Sequence, residues 1–320
     1  MRVLRLICLL PLVSTLWCCT SKQFDSSNGI DDTCNFYDSV RIMFDPHTEV
    51  LDISHLFFSA EINGVKVDSA VIDNGFYYSA MSPDLKRLIK TSFSFLYSCP
   101  APSIWETCLA DSLFFKLGGN TMFKVDTVQI TDWSQKIVDK SCKVVLGRDF
   151  FEKYVVRFDF INSIMTWGND LPSDTEQYLA IPMHYTEEYP YYDHLYRHIK
   201  VPGFRLKAGG SIEARAFLDL GWCGYTGFDS TFLHKVDQHF SQVDTNSLAW
   251  LILNQIGVAV DSVDFPIRHW DDINHSYFNV PGCMENLSFC DIMLGLDFFR
   301  HFNVIFDYKN NMLYLKRNEQ

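Results

Sequence analysis

The stretch SAVIDNGFYYSAMS, residues 69–82, decides how the rest of the chain is interpreted. Its apolar run Ala70-Val71-Ile72 ends in an acid, Asp73, which is followed by Asn-Gly. Asn-Gly is a strong signal for a hairpin turn, and in that interpretation the acid only opens the turn. In the other interpretation, a buried strand ends by presenting a carboxylate for chemistry. The stretch alone fits both, and a second stretch of the same kind would distinguish them.

The chain contains such a second stretch, and it belongs to an internal sequence repeat. The segment LGRDFFEKYVVRFDFINSIMTW begins at Leu146, and LGLDFFRHFNVIFDYKNNMLYL begins about 148 residues later at Leu294. The run ARAFLDLGWCGYTG places Asp219 about 146 residues after Asp73, again behind an apolar run and before x-Gly. Repeats at a fixed offset indicate repeated structural units. We therefore predict two homologous lobes, residues 46–172 and 173–320.

Hydrophobic alternation predicts that each lobe is built mostly from β-strands. Alternating runs are separated by turn signals, as at Asn63-Gly64, Asn162-Ser163 and Asn310-Asn311. Short strands with regular turns are typical of closed or sandwich-like β folds. The sequence therefore predicts an all-β fold, with short helices only at residues 84–89, 148–153, 229–239 and 296–301.

The N-terminus has the features of an export signal. Arg2 and Arg5 precede an apolar core over residues 7–17, which is too short to span a membrane. The core ends in CCTSK, residues 18–22, which resembles a bacterial lipoprotein signal whose Cys becomes the lipidated first residue. An ordinary cleaved signal is the alternative interpretation.

From this segment we expect an exported protein, lipid-anchored in the bacterial cell envelope on the periplasmic or outer-membrane side. Residues 1–19 are predicted as the signal, with Cys19 preferred to Cys18 as the lipid attachment site. Residues 20–45 are polar at their centre and are predicted as a tether. The membrane would then be a partner only through the lipid anchor.

Composition narrows the class of protein. The 320 residues are 48% hydrophobic and 21% charged, which is typical of a globular chain. The net charge of −12 argues against a nucleic-acid partner, because phosphate binding needs a basic face. Seven cysteines follow Cys19, so at least one has no partner within the chain. Cys99 with Cys108, and Cys283 with Cys290, are candidate short-loop disulfides.

The two acid-bearing segments resemble a known family. An apolar strand ending in Asp-x-Gly, followed about 75 residues later by VVLG or IMLG and a short helix, is similar to the retropepsin and pepsin group of aspartic peptidases. The block from Leu294 resembles the end of secreted or lipid-anchored retropepsin-like aspartyl proteases of Bacteroides-type bacteria. The resemblance covers about 270 residues as two tandem copies. It implies two homologous retropepsin/pepsin-like β-barrel lobes, with a cleft between them that takes an extended peptide.

The resemblance also implies an aspartic endopeptidase that needs no cofactor and no metal. Asp73 and Asp219 would meet at the interface between the lobes, with a water between them. Two carboxyl groups that lie so near each other share one proton. The ionised acid then activates the water, and the protonated acid polarises the scissile carbonyl. Residues beside or behind each acid would support the two loops, and these are Asn74, Gly75, Leu220, Gly221, Gly147 and Gly295.

The sequence departs from the family pattern Asp-Thr/Ser-Gly at both acids. Asn74 replaces the hydroxyl residue in the first copy and has polar atoms that can substitute, whereas Leu220 in the second copy has none. Phe76 and Trp222 replace the small residue that usually follows the glycine. Small misplacements of catalytic groups can cost about a hundredfold in rate. The alternative function is therefore a catalytically inactive relative that binds peptide, glycan or an envelope partner in the cleft.

Other segments give weaker signals. His194 and His198 lie four residues apart in a tyrosine-rich segment, but no third metal ligand is spaced for them. The tyrosines of that segment suit a contact surface. Cys223 has no basic partner nearby of the kind that a reactive thiol needs. The segment over residues 97–108 is the candidate flap over the cleft.

Overall fold

The structure is a computed structural model, and it describes residues 36–43, 55–99, 105–118, 121–131, 142–186, 201–208, 212–221, 227–228, 257–258, 261–262 and 290–318, together with Phe232. All of these residues belong to one compact unit, Asn35–Gln320. Within the described ranges, no helix is long and apolar enough to cross a membrane.

Strands dominate the described residues. In chain order they are β1 (Phe36–Arg41), β2 (Phe57–Ile62), β3 (Val65–Ile72), β4 (Ala80–Met81), β5 (Phe93–Cys99), β6 (Trp105–Leu117), β7 (Thr121–Thr131), β8 (Val144–Leu146), β9 (Val155–Asp159), β10 (Ile164–Gly168), β11 (Leu179–Pro182), β12 (His184–Thr186), β13 (Val201–Ala208), β14 (Ile212–Leu218), β15 (Gly227–Phe228), β16 (Gly257–Val258), β17 (Asp261–Ser262), β18 (Ile292–Leu294), β19 (Phe302–Asp307) and β20 (Met312–Arg317). The helices are α1 (Pro83–Leu88), α2 (Arg148–Lys153), α3 (Leu296–Phe299) and a 3₁₀ helix, Ser173–Gln177.

The first half of the chain forms a closed barrel. Six strands pair in the order β2-β3-β8-β4-β7-β6, and β6 pairs back with β2 to close the ring. β5 adds to β6 outside this ring. Closure satisfies the backbone hydrogen-bonding groups that an open sheet would expose at its edges. Within the barrel, β3 and β8 run parallel, with Ile72 beside Leu146 at their ends.

The second half repeats this parallel pair. Its sheet has the order β15-β18-β14-β13-β16-β17, with β12 added to β13. β14 and β18 run parallel with Leu218 beside Leu294, the repeat equivalents of Ile72 and Leu146. The two halves therefore carry the same arrangement at the point where each acid-bearing strand ends. The lobe boundaries at residues 46, 172 and 173 stay predictions.

A six-stranded sheet joins the two halves. Its order is β1-β10-β9-β19-β20-β11, so β9 of the first copy pairs with β19 of the second at its centre. Val304 lies opposite Phe158, and Phe306 lies opposite Val156. These two pairs exchange when the repeats are exchanged, so a local two-fold axis passes between β9 and β19.

Aromatic side chains of the repeated block fill the core beside this sheet. The ring of Phe306 lies 5.5 Å from the ring of Phe151 and 5.9 Å from the ring of Phe158, measured between centroids. Burying one such side chain contributes about 1.5–3 kcal/mol to folding. Both copies of Asp-Phe-Phe are used in this way, because their phenylalanines are fully buried: Phe150, Phe151, Phe298 and Phe299.

The helices lie close to their predicted positions. α2 has the predicted bounds, α1 begins one residue earlier than predicted, and α3 ends two residues earlier. Ser82 caps α1, because its Oγ accepts a hydrogen bond from the Leu85 N–H at 3.2 Å. The helix predicted over residues 229–239 lies outside the described residues, apart from Phe232.

The predicted tether over residues 20–45 needs a correction. Part of it, β1, is an edge strand of the six-stranded sheet and pairs with β10. Val40 packs against the core and Ile42 is buried within it. The prediction was based on the polar residues at the centre of the segment and did not consider Val40 and Ile42. Burial of these two apolar side chains stabilises the segment on the sheet.

The two candidate disulfides are not formed. The β5–β6 register sets Cys108 opposite Phe95 and Cys99 opposite Trp105, so the two cysteines are not cross-strand neighbours, and Cys108 is a free, buried thiol. A disulfide requires Cα atoms within about 4.4–6.8 Å of each other. Cys290 is also a buried thiol, and Cys283 lies outside the described residues.

Candidate active site

The two acids occupy equivalent positions at the ends of parallel strand pairs. Asp73 follows β3, and its N–H donates to the Leu146 carbonyl at 3.1 Å. Asp219 follows β14, and its N–H donates to the Leu294 carbonyl, also at 3.1 Å. Each acid is therefore held by the strand that runs beside its own, β8 or β18.

The structure brings the two carboxyl groups together. The side chains of Asp73 and Asp219 are hydrogen-bonded to each other, and both remain partly exposed to solvent. Asp73 Oδ1 accepts from the Gly75 N–H at 2.8 Å, and Asp219 Oδ1 accepts from the Gly221 N–H at the same distance. The pair is therefore oriented by matching backbone bonds and is open to a small reactant.

Burial changes the proton affinity of this pair. It raises the pKa of Asp73 to about 6, against the hydrogen bonds from Gly75, Asp219 and Phe76, which lower it. Two carboxyls in contact cannot both ionise readily, so they hold one proton between them over a range of pH. A shared proton gives the site an acid and a base at the same time.

A side chain would be crowded at three of the glycines beside and behind the acids, Gly75, Gly147 and Gly221. A Cβ on Gly221 would lie 2.0 Å from Asp73 Cγ, and a Cβ on Gly75 would lie 3.0 Å from a carboxylate oxygen of each acid. A Cβ on Gly147 would lie 2.6 Å from the backbone of Tyr78. Gly295 is buried and precedes α3, as Gly147 precedes α2.

Asn74 bonds the first acid loop to the second. Its Nδ2 donates to the Leu218 carbonyl at 2.9 Å, and its Oδ1 accepts from the Leu220 N–H at 2.6 Å. Both partners flank Asp219 in the second half. Leu220 is fully buried in the apolar core and has no polar side-chain atom to return such bonds. At this pair of equivalent positions, the bonds between the loops therefore come from the Asn74 side chain of the first half.

Phe76, the bulky residue after the first Asp-x-Gly, packs against the first half. It lies against a small buried cluster that contains Val71, Ala80 and Val145. The ring is accommodated there because those neighbours are small or slender. The equivalent Trp222 lies outside the described residues.

Sequence reasoning missed a partly buried carboxyl, that of Asp149, behind the first acid loop. Asp149 Oδ1 accepts from the Ser79 Oγ at 2.7 Å and from the Ser79 N–H at 3.0 Å, and Ser79 Oγ also accepts from the Gly147 N–H at 3.0 Å. Burial raises the pKa of Asp149 to about 7. These bonds tie the end of the acid loop to the start of α2. The available signal was the Asp of Asp-Phe-Phe, which both copies contain.

Sequence reasoning also missed two residues beneath the acid loops. The guanidinium of Arg148 lies 5.8 Å from the ring centroid of Tyr77 and 5.5 Å from that of Tyr308, and its Nε lies 2.9 Å from Glu152 Oε1. The Tyr308 hydroxyl accepts from Asn74 Nδ2 at 3.1 Å. The repeat gives no signal for them, because Leu296 and Phe160 stand at the equivalent positions.

Several predicted features lie outside the described residues. They are the lipid attachment residue Cys19, the thiol of Cys223, the metal candidates His194 and His198, and the tip of the candidate flap.

Comparison with known proteins supports the fold. No protein-family model and no curated protein matches the sequence. Among solved structures, the chain is similar to basic 7S globulin from soybean, with a TM-score of 0.52 and 11% identity, over 89% of this chain and 96% of that one. That globulin has a pepsin-like aspartic protease fold. The prediction of an all-β, aspartic-protease-like fold is thereby confirmed.

Proposed function

We propose that the chain is an aspartic endopeptidase in which Asp73 and Asp219 activate a water for attack on a peptide bond. The observation that carries this proposal is the hydrogen-bonded pair of carboxyls at the ends of equivalent strands. The ionised carboxyl takes a proton from the water, and the protonated carboxyl donates a hydrogen bond to the scissile carbonyl. Asn74 supports the proposal because it bonds the two acid loops together, although the chain lacks the hydroxyl residue of the family pattern.

The shared proton sets the expected pH range. The pKa of Asp73 is raised to about 6, so above that pH both carboxyls become ionised and none is left to polarise the carbonyl. Cleavage is therefore expected at acidic pH and should decline above about pH 6.

The test is cleavage of a mixed peptide library by the form that lacks residues 1–19, from about pH 3 to 7. Asp73→Asn and Asp219→Asn are each expected to abolish cleavage. Asp111→Asn makes the same chemical change at an exposed position on β6 and is expected to retain it. The proposal fails if the folded protein cleaves nothing, or if cleavage survives both site substitutions.

A second candidate function is binding of a peptide, glycan or envelope protein without turnover. Leu220 favours it, because its buried apolar side chain has no polar atom that could bond to the first acid loop. In that case, the same library would bind without being cut. Calorimetric titration would then give equal affinity for the wild type and Asp73→Asn.

We also propose that the protein is exported and anchored to the envelope through a lipid on Cys19. The support is the basic, apolar and Cys-containing order of the first residues. Labelling cells with radioactive palmitate is expected to label the wild type and Cys18→Ser, but not Cys19→Ser. Equal labelling of both variants would contradict the choice of Cys19.

A further inference from the structure

The residues that connect the two acid loops are not equivalent in the two halves of the chain. Three pairs of repeat-equivalent positions differ in polarity, although all six side chains are buried. In each pair, one member is polar and the other apolar. The pairs are Asn74 with Leu220, Arg148 with Leu296, and Tyr308 with Phe160.

The three polar members contact one another across the two halves. Asn74 and Arg148 come from the first half, and both reach Tyr308 in the second half, through its hydroxyl and its ring face respectively. A cation over an aromatic ring is attracted to the ring face, more strongly when water is excluded. Phe151 lies against the other parts of the Tyr308 ring, with centroids 5.8 Å apart. The hydroxyl is therefore held in place by neighbours that fix the ring.

The backbone of the second acid loop fixes which way round the Asn74 carboxamide lies, and the Tyr308 hydroxyl adds a third bond that holds it there. Its Nδ2 donates to the Leu218 carbonyl, and its Oδ1 accepts from the Leu220 N–H. A flipped amide would set oxygen against the carbonyl and nitrogen against the N–H, so both bonds would be lost. The second N–H of Nδ2 points to the Tyr308 hydroxyl, which accepts it.

We propose that Tyr308 is a positioning residue: its hydroxyl holds the Asn74 carboxamide in place and thereby fixes the spacing of Asp73 and Asp219. The inference deepens the proposed function, on which it rests for its consequence in catalysis. Tyr308 acts through Asn74, whose Nδ2 is bonded to the Tyr308 hydroxyl. Phe160, the repeat equivalent of Tyr308, has no such role, because Leu220, the repeat equivalent of Asn74, has no carboxamide.

The first test measures the carboxyl pair without requiring turnover. The chain lacking residues 1–19 is labelled with ¹³C-aspartate, and the carboxyl signals of Asp73 and Asp219 are followed from pH 3 to 8. In Tyr308→Phe, we expect the two titration midpoints to move closer together by about one pH unit, because looser loops weaken the interaction between the acids. Tyr314→Phe removes a hydroxyl from the same hairpin, on β20, and is expected to leave both midpoints unchanged. Equal behaviour of the two variants would overturn the proposal.

Tyr308→Phe is expected to fold, because phenylalanine already occupies the equivalent buried position, Phe160. A second variant tests whether the hydroxyl acts through Asn74. In the Asn74→Thr background there is no carboxamide to hold in place, so adding Tyr308→Phe should not move the midpoints further. A further movement equal to that in Tyr308→Phe alone would also overturn the proposal.

Peptide cleavage separates this inference from the proposed function. If the wild type cleaves, Tyr308→Phe should lower kcat about tenfold or more while KM stays within about twofold. If the wild type cleaves and Tyr308→Phe changes neither kcat nor the midpoints, the positioning role is wrong and the peptidase stands. If the wild type does not cleave but the midpoints move as expected, the peptidase is wrong and the positioning role stands.

Discussion

At the scale of single residues, both acid loops contain Asp-x-Gly, but the space around the two glycines differs. Gly221 packs directly onto the carboxyl group of Asp73, so an added Cβ would overlap it at 2.0 Å. A Cβ added to Gly75 would lie 3.0 Å from a carboxylate oxygen of each acid, and Gly75 is exposed.

This asymmetry predicts unequal effects of two identical substitutions. Gly221→Ala should destabilise the fold by about 1–3 kcal/mol, because the new methyl group must displace Asp73. Gly75→Ala should cost less than about 1 kcal/mol, because a shift of a few tenths of an ångström accommodates it. Urea unfolding of the two variants measures the difference. Equal losses would show that the loops are equally tight.

Asp149 should make stability fall as the pH rises. Burial raises its pKa to about 7, whereas an unfolded Asp titrates near 4, so between these values the folded state binds one more proton. Its contribution to stability is fully present below about pH 4 and is lost as the pH rises through about 7. Urea unfolding from pH 4 to 8 should show this fall in the wild type.

Asp149→Asn is the matched variant for that experiment. Its Oδ1 can still accept from Ser79, and it carries no titrating group. The free energy of unfolding should therefore fall less for the variant than for the wild type as the pH rises. Between about pH 4 and 7, the difference should grow by about 1 kcal/mol per pH unit. Parallel curves for the two proteins would show that Asp149 is not the cause.

At the scale of elements, the repeated hairpins β9–β10 and β19–β20 use the same turn chemistry. Asp159 accepts from the N–H of Asn162 at 3.0 Å and from its Nδ2 at 2.7 Å. Asp307 accepts from the N–H of Asn310 at 3.1 Å and from its Nδ2 at 2.7 Å. Each turn then continues through a residue at positive φ, Ser163 or Asn311. The spacing Asp-x-x-Asn thus fixes both turns, whatever the residues between.

The two turns differ in burial, and this predicts a difference in stability. Asp307 is completely buried, whereas Asp159 is partly exposed. Asp307→Ala should cost about 1–3 kcal/mol, because it removes two hydrogen bonds to Asn310 and leaves the space of a fully buried carboxyl group unfilled. Asp159→Ala should cost less than about 1 kcal/mol, because water can replace the carboxylate. Thermal unfolding of both variants provides the comparison, and a reversed order would contradict it.

At the scale of the whole molecule, the six-stranded sheet makes the two halves depend on each other. β9 and β19 pair at its centre, and the side chains of Val156 and Phe158 on β9 are fully buried. Separating the halves would expose these side chains and the backbone groups of β9 that face β19. An exposed apolar strand edge is a template for association with another chain.

The isolated first half, residues 35–172, is therefore expected to self-associate. Replacing β19 with a second copy of β9 would restore the local two-fold pairing, because the repeats are equivalent there. Size exclusion with light scattering should give dimers or larger species for the half and a monomer for the chain lacking residues 1–19. A monomeric half that unfolds cooperatively would show that the sheet is not needed for its stability.

The sequence by itself determined the repeat, the β class and the two acids, because these depend on local patterns that each copy states independently. The apolar run before Asp73 recurs before Asp219, and the turns at Asn162 and Asn310 are set by residues three positions away. Periodicity and turn chemistry are short-range, so they can be read along the chain.

Only the tertiary structure decided how the acids are held. Asn74 bonds to Leu218, Leu220 and Tyr308, which lie 144 to 234 residues further along the chain. Arg148 and Tyr308 differ from their repeat equivalents, so the pattern that revealed the acids gave no signal for them. The physical reason is that a lock between two halves is built from contacts distant in sequence. It is the close approach of the halves that makes one carboxamide sufficient to span both loops.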